Sequence, residues 1–388
     1  MDQSSQDFFA PCPRGLESVL VLELEKLDAQ AIKITQGGVS FSGNFNLCYQ
    51  ANLESRIASR ILWRIGHFPY RNEQDVYAAV SALPWSQWFN VERTMMVKVS
   101  AQHCPLKSLD FITLKIKDAV CDQFRAQTTN RPSVDTVAPD MRIHAFLDAT
   151  HCTIYLDTSG SALFQRGLRK VSVAAPLREN LAAGILHLSG WKPGIPLLDP
   201  MCGSGTFLME AAQMTLNIAP GSQRNFAFEK LNNFDALTWD RLRSEANARQ
   251  LPKTSLPISG SDMFCEVLDS ARANIAAAGL TEVIELKQAN VVEISAPAES
   301  GILITNPPYG IRIGELTQLE EFYPRLGDTL KKKFSDWNAY IFTADLRLPK
   351  LIHLAVSRRT PLFNGALECR LFEFKMVAGG MRREKSEE

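Results

Sequence analysis

Strand-like and helix-like segments alternate from Glu179 to Thr343, and this alternation restricts the fold more than any other feature of the chain. Its apolar periodicity predicts helices over Glu179–Leu188, from Thr206, over Cys265–Ala278 and over Leu319–Phe334. Strands are predicted at Ile195–Asp199, Pro257–Asp262, Ile284–Lys287, Gly301–Thr305 and Ala339–Thr343. Strands separated by helices imply an α/β arrangement, a parallel sheet with helices on both faces. The ending departs from that scheme, because Arg359–Phe363 and Glu368–Met376 flank Asn364-Gly365, a strong hairpin signal. The parallel sheet is therefore expected to finish with an antiparallel pair, unlike a purely parallel dinucleotide-binding sheet. Residues 217–255 read as a long polar insertion between a helix and the next strand.

Upstream, two smaller α+β modules are expected. The first has a helix over Gly15–Leu27, a strand at 37–41 and a helix over Asn46–Ile65. In the last of these, Leu47, Leu53, Ile57, Ile61 and Ile65 form one stripe and Arg56, Arg60 and Arg64 another, fitting a solvated face or a row of phosphate contacts. The second has helices over Glu73–Ser81 and Ser108–Thr128 and strands at Thr94–Ser100, Met141–Leu147 and Cys152–Thr158, the last two joined by a turn at Asp148–His151. Then comes Phe164–Arg178, which carries Arg166, Arg169, Lys170 and Arg178 without an acidic residue and faces either a polyanion or solvent.

Composition narrows the function. With 388 residues, 45% hydrophobic and 22% charged, the chain is neither disordered nor fibrous. Lys and Arg together equal Asp and Glu, 42 against 42, so any polyanion must be held by a local patch. Eight cysteines without a Cys-x-x-Cys pair argue against a zinc site or a disulfide framework, and His103, His144 and His151 lack metal-ligand spacing. Without a basic leader ahead of an apolar core, or a long apolar run, a cytoplasmic protein with no membrane association is expected.

Two motifs carry chemistry. Leu198-Asp199-Pro200-Met201-Cys202-Gly203-Ser204-Gly205-Thr206 stands where a buried strand turns into a helix, and its glycines let the backbone approach a ligand. A third glycine is missing, and the next strand's acid, Asp262, lies much farther on than in a nicotinamide site. A nucleoside without a pyrophosphate suits the loop better, and the cations of S-adenosylmethionine suit Asp199. The second motif, Ile302-Leu303-Ile304-Thr305-Asn306-Pro307-Pro308-Tyr309-Gly310, ends a hydrophobic strand in a rigid acceptor pair. The Asn306 side-chain oxygen and the Pro307 carbonyl can accept from an exocyclic amine, and Tyr309 offers a face for the base. If the two strands are neighbours across the switch point of the sheet, loop and amine clamp face one cleft.

At these residues the sequence resembles class I methyltransferases with an Asn-Pro-Pro-Tyr motif, and specifically the THUMP-containing bacterial 23S ribosomal RNA guanine-N2 methyltransferases of the RlmL type. The likeness extends over Cys12-Pro-Arg-Gly-Leu-Glu17, Gly37-Gly-Val39, Ser55-Arg-Ile-Ala-Ser-Arg60, Lys115-Ile-Lys-Asp-Ala119, Arg131-Pro-Ser-Val-Asp135, Ala138-Pro-Asp140 and Arg166-Gly-Leu-Arg169, as well as both motifs and the hairpin. It implies a ferredoxin-like unit (1–66), a THUMP RNA-binding domain (67–162) and a Rossmann-like methyltransferase domain (163–388). It further implies S-adenosylmethionine held by Asp199, Met201, Cys202, Gly203, Ser204, Gly205, Thr206, Asp262, Asn290 and Asn306, catalysis by Asn306, Pro307, Pro308 and Tyr309, and RNA contacts by Arg166, Arg169, Lys170, Arg178 and Arg312. No metal is expected. Two departures stand out: Asp262 is followed by Met263 and Phe264 where the family usually places a second acid, and Asn290 occupies a position that is often acidic. Some family members continue into a second methyltransferase domain, an activity not expected of a chain ending at Glu388.

The expected reaction is direct methyl transfer to guanine N2 of an extruded nucleotide in 23S ribosomal RNA or a large-subunit assembly intermediate. Rival readings are the same chemistry on tRNA guanine or DNA adenine, and a non-catalytic RNA-binding assembly factor.

Overall fold

The computed structural model of the chain describes residues 5–167, 177–307 and 313–377. In chain order the first elements are β1 (Gln6–Pro11), α1 (Glu17–Lys26), β2 (Gln30–Thr35), β3 (Gly38–Gly43), α2 (Phe45–Glu54), β4 (Leu62–Pro69), α3 (Glu73–Ser81), α4 (Trp85–Trp88), β5 (Met95–Ala101), α5 (Leu109–Thr128), β6 (Met141–Leu147) and β7 (His151–Asp157). They continue as α6 (Glu179–Leu188), β8 (Leu197–Asp199), α7 (Thr206–Thr215), α8 (Ala236–Ala248), β9 (Ile258–Asp262), α9 (Cys265–Ala277), β10 (Glu285–Gln288), β11 (Gly301–Thr305), α10 (Ile313–Lys333), β12 (Trp337–Thr343), α11 (Leu348–Leu351), β13 (Arg358–Asn364) and β14 (Leu367–Lys375). Two compact units result, and neither follows chain order: one holds residues 1–12, 20–163 and 220–248, the other 13–19, 164–219 and 249–388.

The first unit is built on a seven-stranded sheet of order β2-β3-β1-β4-β7-β6-β5. Strand β4 pairs antiparallel with β1 on one side and β7 on the other, so the two expected N-terminal modules share this sheet. The helix expected over Asn46–Ile65 is corrected: α2 stops at Glu54, and Leu62–Pro69 is a strand. The Glu23 carboxylate explains the break. It accepts from the Ser55 hydroxyl at 2.6 Å, the Arg56 N–H at 3.1 Å and the Ile57 N–H at 3.2 Å, taking backbone donors that a longer helix would need. Two of the supposed helix-face arginines are occupied as well, Arg60 by Asp157 and the Gly160 carbonyl, Arg64 by Asp7.

Part of the 217–255 insertion also belongs here. Phe228 lies 4.6 Å from Tyr49, 5.1 Å from Phe226 and 5.0 Å from Trp239, ring centre to ring centre, and Lys230 pairs with Asp140 at 2.7 Å.

The second unit carries the sheet β10-β9-β8-β11-β12-β14-β13. Strands β10, β9, β8, β11 and β12 are parallel; β14 runs antiparallel to β12 and to β13. The expected parallel sheet with a closing hairpin is thus observed. On one face α10 buries Tyr323, Leu326 and Leu330, and Phe334 just beyond it, against Leu303, Trp337, Ile341, Phe372 and Phe374. The hairpin turns at Gly365, whose φ of +66° suits glycine at a tight turn.

Candidate active site

The site is assembled at the carboxyl ends of three neighbouring strands, β9, β8 and β11. Leu197 and Leu198 of β8 pair with Ile302 and Leu303 of β11, so Asp199 ends its strand beside the approach to Asn306. On the other side Asp199 is in register with Gly260 of β9, two residues before Asp262. The expected first-to-fourth strand neighbourhood therefore holds, and it follows from β8 being central, with connections leaving it in both directions.

The loop from β8 to α7 is held by backbone bonds rather than by its own side chains. Cys202 N–H donates to the Ser261 carbonyl at 2.9 Å and Gly205 N–H to the Cys202 carbonyl at 2.8 Å. Gly203 N–H donates to Asp262 Oδ2 at 3.1 Å, and Phe264 N–H to its Oδ1 at 3.1 Å. From α9, the fully buried Asn274 donates to the Ser204 carbonyl at 3.2 Å. Sequence reasoning missed Asn274, since nothing in helical periodicity marks a buried asparagine as a brace for a loop. Gly203 and Gly205 adopt φ of +55° and +81°, the left-handed region that side chains disfavour, and a Cβ on Gly203 would project into open space. Ser204 and Thr206 are buried and their hydroxyls lie 3.4 Å apart; Met201 is half-buried and donates its N–H to Asp199 Oδ1 at 3.3 Å.

Asp199 is 2% exposed and Asp262 8%, and neither has a cationic partner among the described residues. Burial pushes the Asp199 carboxyl up to about 7; the Met201 N–H and the Thr305 side chain oppose this, and the charge of Asp262 adds to it. Burial likewise pushes the Cys202 thiol up, so that it stays neutral. Two buried acids without a cation, beside an open glycine cradle, fit a nucleoside that brings its own positive charge. S-adenosylmethionine is such a guest, and Asp199 and Asp262 are the residues that would hold it. Asn290, at the end of β10, is half-buried; its side-chain oxygen accepts from Val292 N–H at 3.2 Å and keeps a second lone pair.

Just past β11, Asn306 is half-buried, and its Oδ1 is enclosed without a hydrogen-bond donor among the described residues. Pro307 follows, buried. Pro308, Tyr309 and Arg312 lie outside the described residues, as do Arg169 and Lys170. The expected RNA contact at Arg166 is corrected: its guanidinium is 3% exposed and pairs with the equally buried Glu210 at 3.1 Å, where no phosphate reaches it. Arg178 is exposed at the start of α6, with its guanidinium carbon 4.9 Å from the centre of the Phe164 ring.

A sheet of this order, with an acid-and-glycine loop beside a strand that ends in Asn-Pro, defines a class I methyltransferase, and the methyl donor of that class is S-adenosylmethionine. The comparisons then give the family. Residues 166–373 match the RMKL-like methyltransferase domain, residues 70–157 the THUMP domain and residues 7–62 the RlmL ferredoxin-like domain. The chain belongs to the RMKL-like methyltransferase family. It is 38% identical over 374 residues to a Synechocystis sp. protein named "Putative RNA methyltransferase slr0064", covering 96% of this chain and 97% of that one. It is 37% identical over 386 residues to the ribosomal RNA large subunit methyltransferase K/L of Photobacterium profundum, covering 98% of this chain and 54% of the relative. The chain thus spans about half the length of the K/L relatives it matches. Among solved structures, SMU.472 in complex with SAH superposes with a TM-score of 0.88 at 30% identity, covering 98% of this chain and all of that one. No helix among the described residues is long and apolar enough to cross a membrane.

Proposed function

We propose that the chain transfers a methyl group to the exocyclic N2 of a guanine in 23S ribosomal RNA, either free or within a large-subunit assembly intermediate in the cytoplasm. The observation that carries this reading is the enclosed Asn306 Oδ1, without a donor among the described residues, at the end of the strand beside Asp199. A buried acceptor left unpaired costs about 1–3 kcal/mol, a cost offset when an amine donates to it. The names of the relatives and the matching THUMP domain support RNA as the substrate, and the division 1–66, 67–162 and 163–388 remains our working domain assignment.

When bound, S-adenosylmethionine supplies an electrophilic methyl group. The role of Asn306 and Pro307 is to accept from the two amine hydrogens, which turns the nitrogen lone pair out of conjugation with the base. Their rigidity fixes that orientation before the reaction, so the acceleration comes from alignment. We assign Pro308 to stiffening this turn and Tyr309 to stacking on the extruded base, which recovers part of the unstacking cost.

Incubating the protein and labelled S-adenosylmethionine with total RNA from a strain lacking the gene tests the proposal. N2-methylguanosine in large ribosomal RNA is expected, with transfer falling about 10²–10³-fold in Asn306→Ala, comparable to losing one oriented polar group from an active site. Label in tRNA or DNA would keep the chemistry and overturn the substrate, and no transfer to any nucleic acid would favour a binding protein.

A further inference from the structure

The carboxyl edge of the catalytic sheet continues past the amine clamp into the β13–β14 hairpin. Thr343, the last residue of β12, is in register with Arg370 of β14, so β14 begins three residues beyond that level. At about 3.4 Å per residue, the start of β14 stands roughly 10 Å above the end of β12, near whose level Asn306 sits, and the turn at Gly365 lies just beyond it. It is also two strand spacings across from β11, another roughly 10 Å.

Two arginines from distant parts of the chain meet at this turn. Arg14 lies over the Phe363 ring, its guanidinium carbon 4.3 Å from the ring centre. Its backbone is fixed there because Gly15, at φ +92°, comes so close to β13 that a Cβ would stand 2.6 Å from the Pro361 carbonyl oxygen. Arg178 comes from the start of α6: a Cβ added at Gly365 would be 3.6 Å from its Nη2, and its guanidinium carbon lies 4.9 Å from the centre of the Phe164 ring. Both side chains are exposed, and neither forms an ion pair among the described residues. The acid of the hairpin, Glu368, is already paired with Arg370 at 2.6 Å.

A guanidinium seated over a ring is attracted to it without spending a hydrogen-bond donor there, so its N–H donors stay available. Such a fork suits the oxygens of a phosphate. We infer that Arg14 and Arg178, on the hairpin turn, form a phosphate-binding post that holds the RNA strand beside the extruded nucleotide. The inference rests on the RNA reading above and adds to it the site that would grip the backbone.

Anisotropy of a fluorescein-labelled oligouridylate with one central guanine, titrated with the full chain across about 50–200 mM KCl, tests it. Each guanidinium on a single-strand phosphate contributes about 0.7 to the slope of log K against log salt, so the double variant Arg14→Gln, Arg178→Gln should flatten the slope by about 1.4 and weaken binding about tenfold. Arg14→Lys with Arg178→Lys keeps the charge and should keep the slope while loosening binding several-fold, because the stacked fork is lost. Calorimetry with S-adenosylhomocysteine on the same preparations reports that the catalytic unit is folded. If the double variant fails that control, Arg178→Gln alone decides, with an expected flattening of about 0.7. An unchanged slope in a variant that still binds S-adenosylhomocysteine overturns the post. The RNA reading fails separately: a wild-type chain that methylates no RNA, yet whose variants lose the slope, would remove that reading and leave the phosphate site standing.

Discussion

At the scale of the residue, the buried Asp199 carboxyl ties the expected affinity for the cofactor to stability. With its carboxyl near 7 in the cofactor-free chain, much of the population carries a proton there at neutral pH. A cationic guest needs the ionised form, so binding of S-adenosylmethionine should release a proton. Affinity should rise about tenfold per pH unit below 7 and level off above it. Calorimetry in buffers of different ionisation enthalpy would measure the released proton, and Asp199→Asn should abolish both the release and the pH dependence. The same shift has a stability consequence of defined sign. A carboxyl whose folded value lies above its unfolded one binds more protons folded than unfolded between about pH 4 and 7, so its contribution to stability is lost as pH rises through that window. Cofactor-free Asp199→Asn should therefore melt higher than wild type at pH 8. Arg166 offers a contrasting case. Replacing it by Met removes the cation beside the buried Glu210 and should cost about 3–5 kcal/mol in urea unfolding, whereas Arg166→Met with Glu210→Leu should recover most of the loss. A basic run in the sequence cannot distinguish such a buried pair from an exposed charge, because the acid that neutralises Arg166 lies on α7, 44 residues farther on.

At the scale of elements, one side chain ties the end of β12 to α10. Arg347 donates from Nε and Nη2 to Asp345 at 3.0 Å each, and from Nη1 to Glu320 at 2.7 Å. It thereby links the end of β12 to α10, the helix that follows the clamp loop. Arg347→Ala should lower kcat about tenfold or more through misplacement of the clamp, with S-adenosylhomocysteine affinity within about twofold of wild type and partial rescue by Arg347→Lys. Single-turnover kinetics with calorimetry would separate the two effects. Much of this unit was legible in the sequence: Glu179–Leu188 and Gly301–Thr305 fall where the pattern puts them, and the glycine loop and Asn-Pro pair announce themselves by position at strand ends. The stretch after Glu54 was not. Its isoleucines repeat at helical spacing, yet they are β-branched, and Glu23, some thirty residues earlier, captures the amides that decide the outcome. Periodicity reports local preference; a distant carboxylate can override it.

At the scale of the whole molecule, the two units exchange segments, and stability is expected to follow contacts rather than sequence position. Phe228 lies inside the stretch that matches the methyltransferase domain, but it belongs to the first unit, where it is fully buried against Tyr49, Phe226 and Trp239. Phe228→Ala should cost about 3–5 kcal/mol and fall mainly on the N-terminal sheet. Hydrogen exchange should show amides of β4 and β7 opening faster while those of β8 and β11 keep their protection. The arrangement also imposes an order on synthesis. Domains normally fold as units as they leave the ribosome, the N-terminal one first. Here the aromatic layer that Tyr49 joins is completed only after residue 248 has been made, by which time β8 and α7 of the second unit have already emerged. The first unit must wait, unfinished, through the birth of the start of the second, and a nascent chain stalled before Phe228 should be open to protease at β4 where one stalled beyond residue 248 is closed.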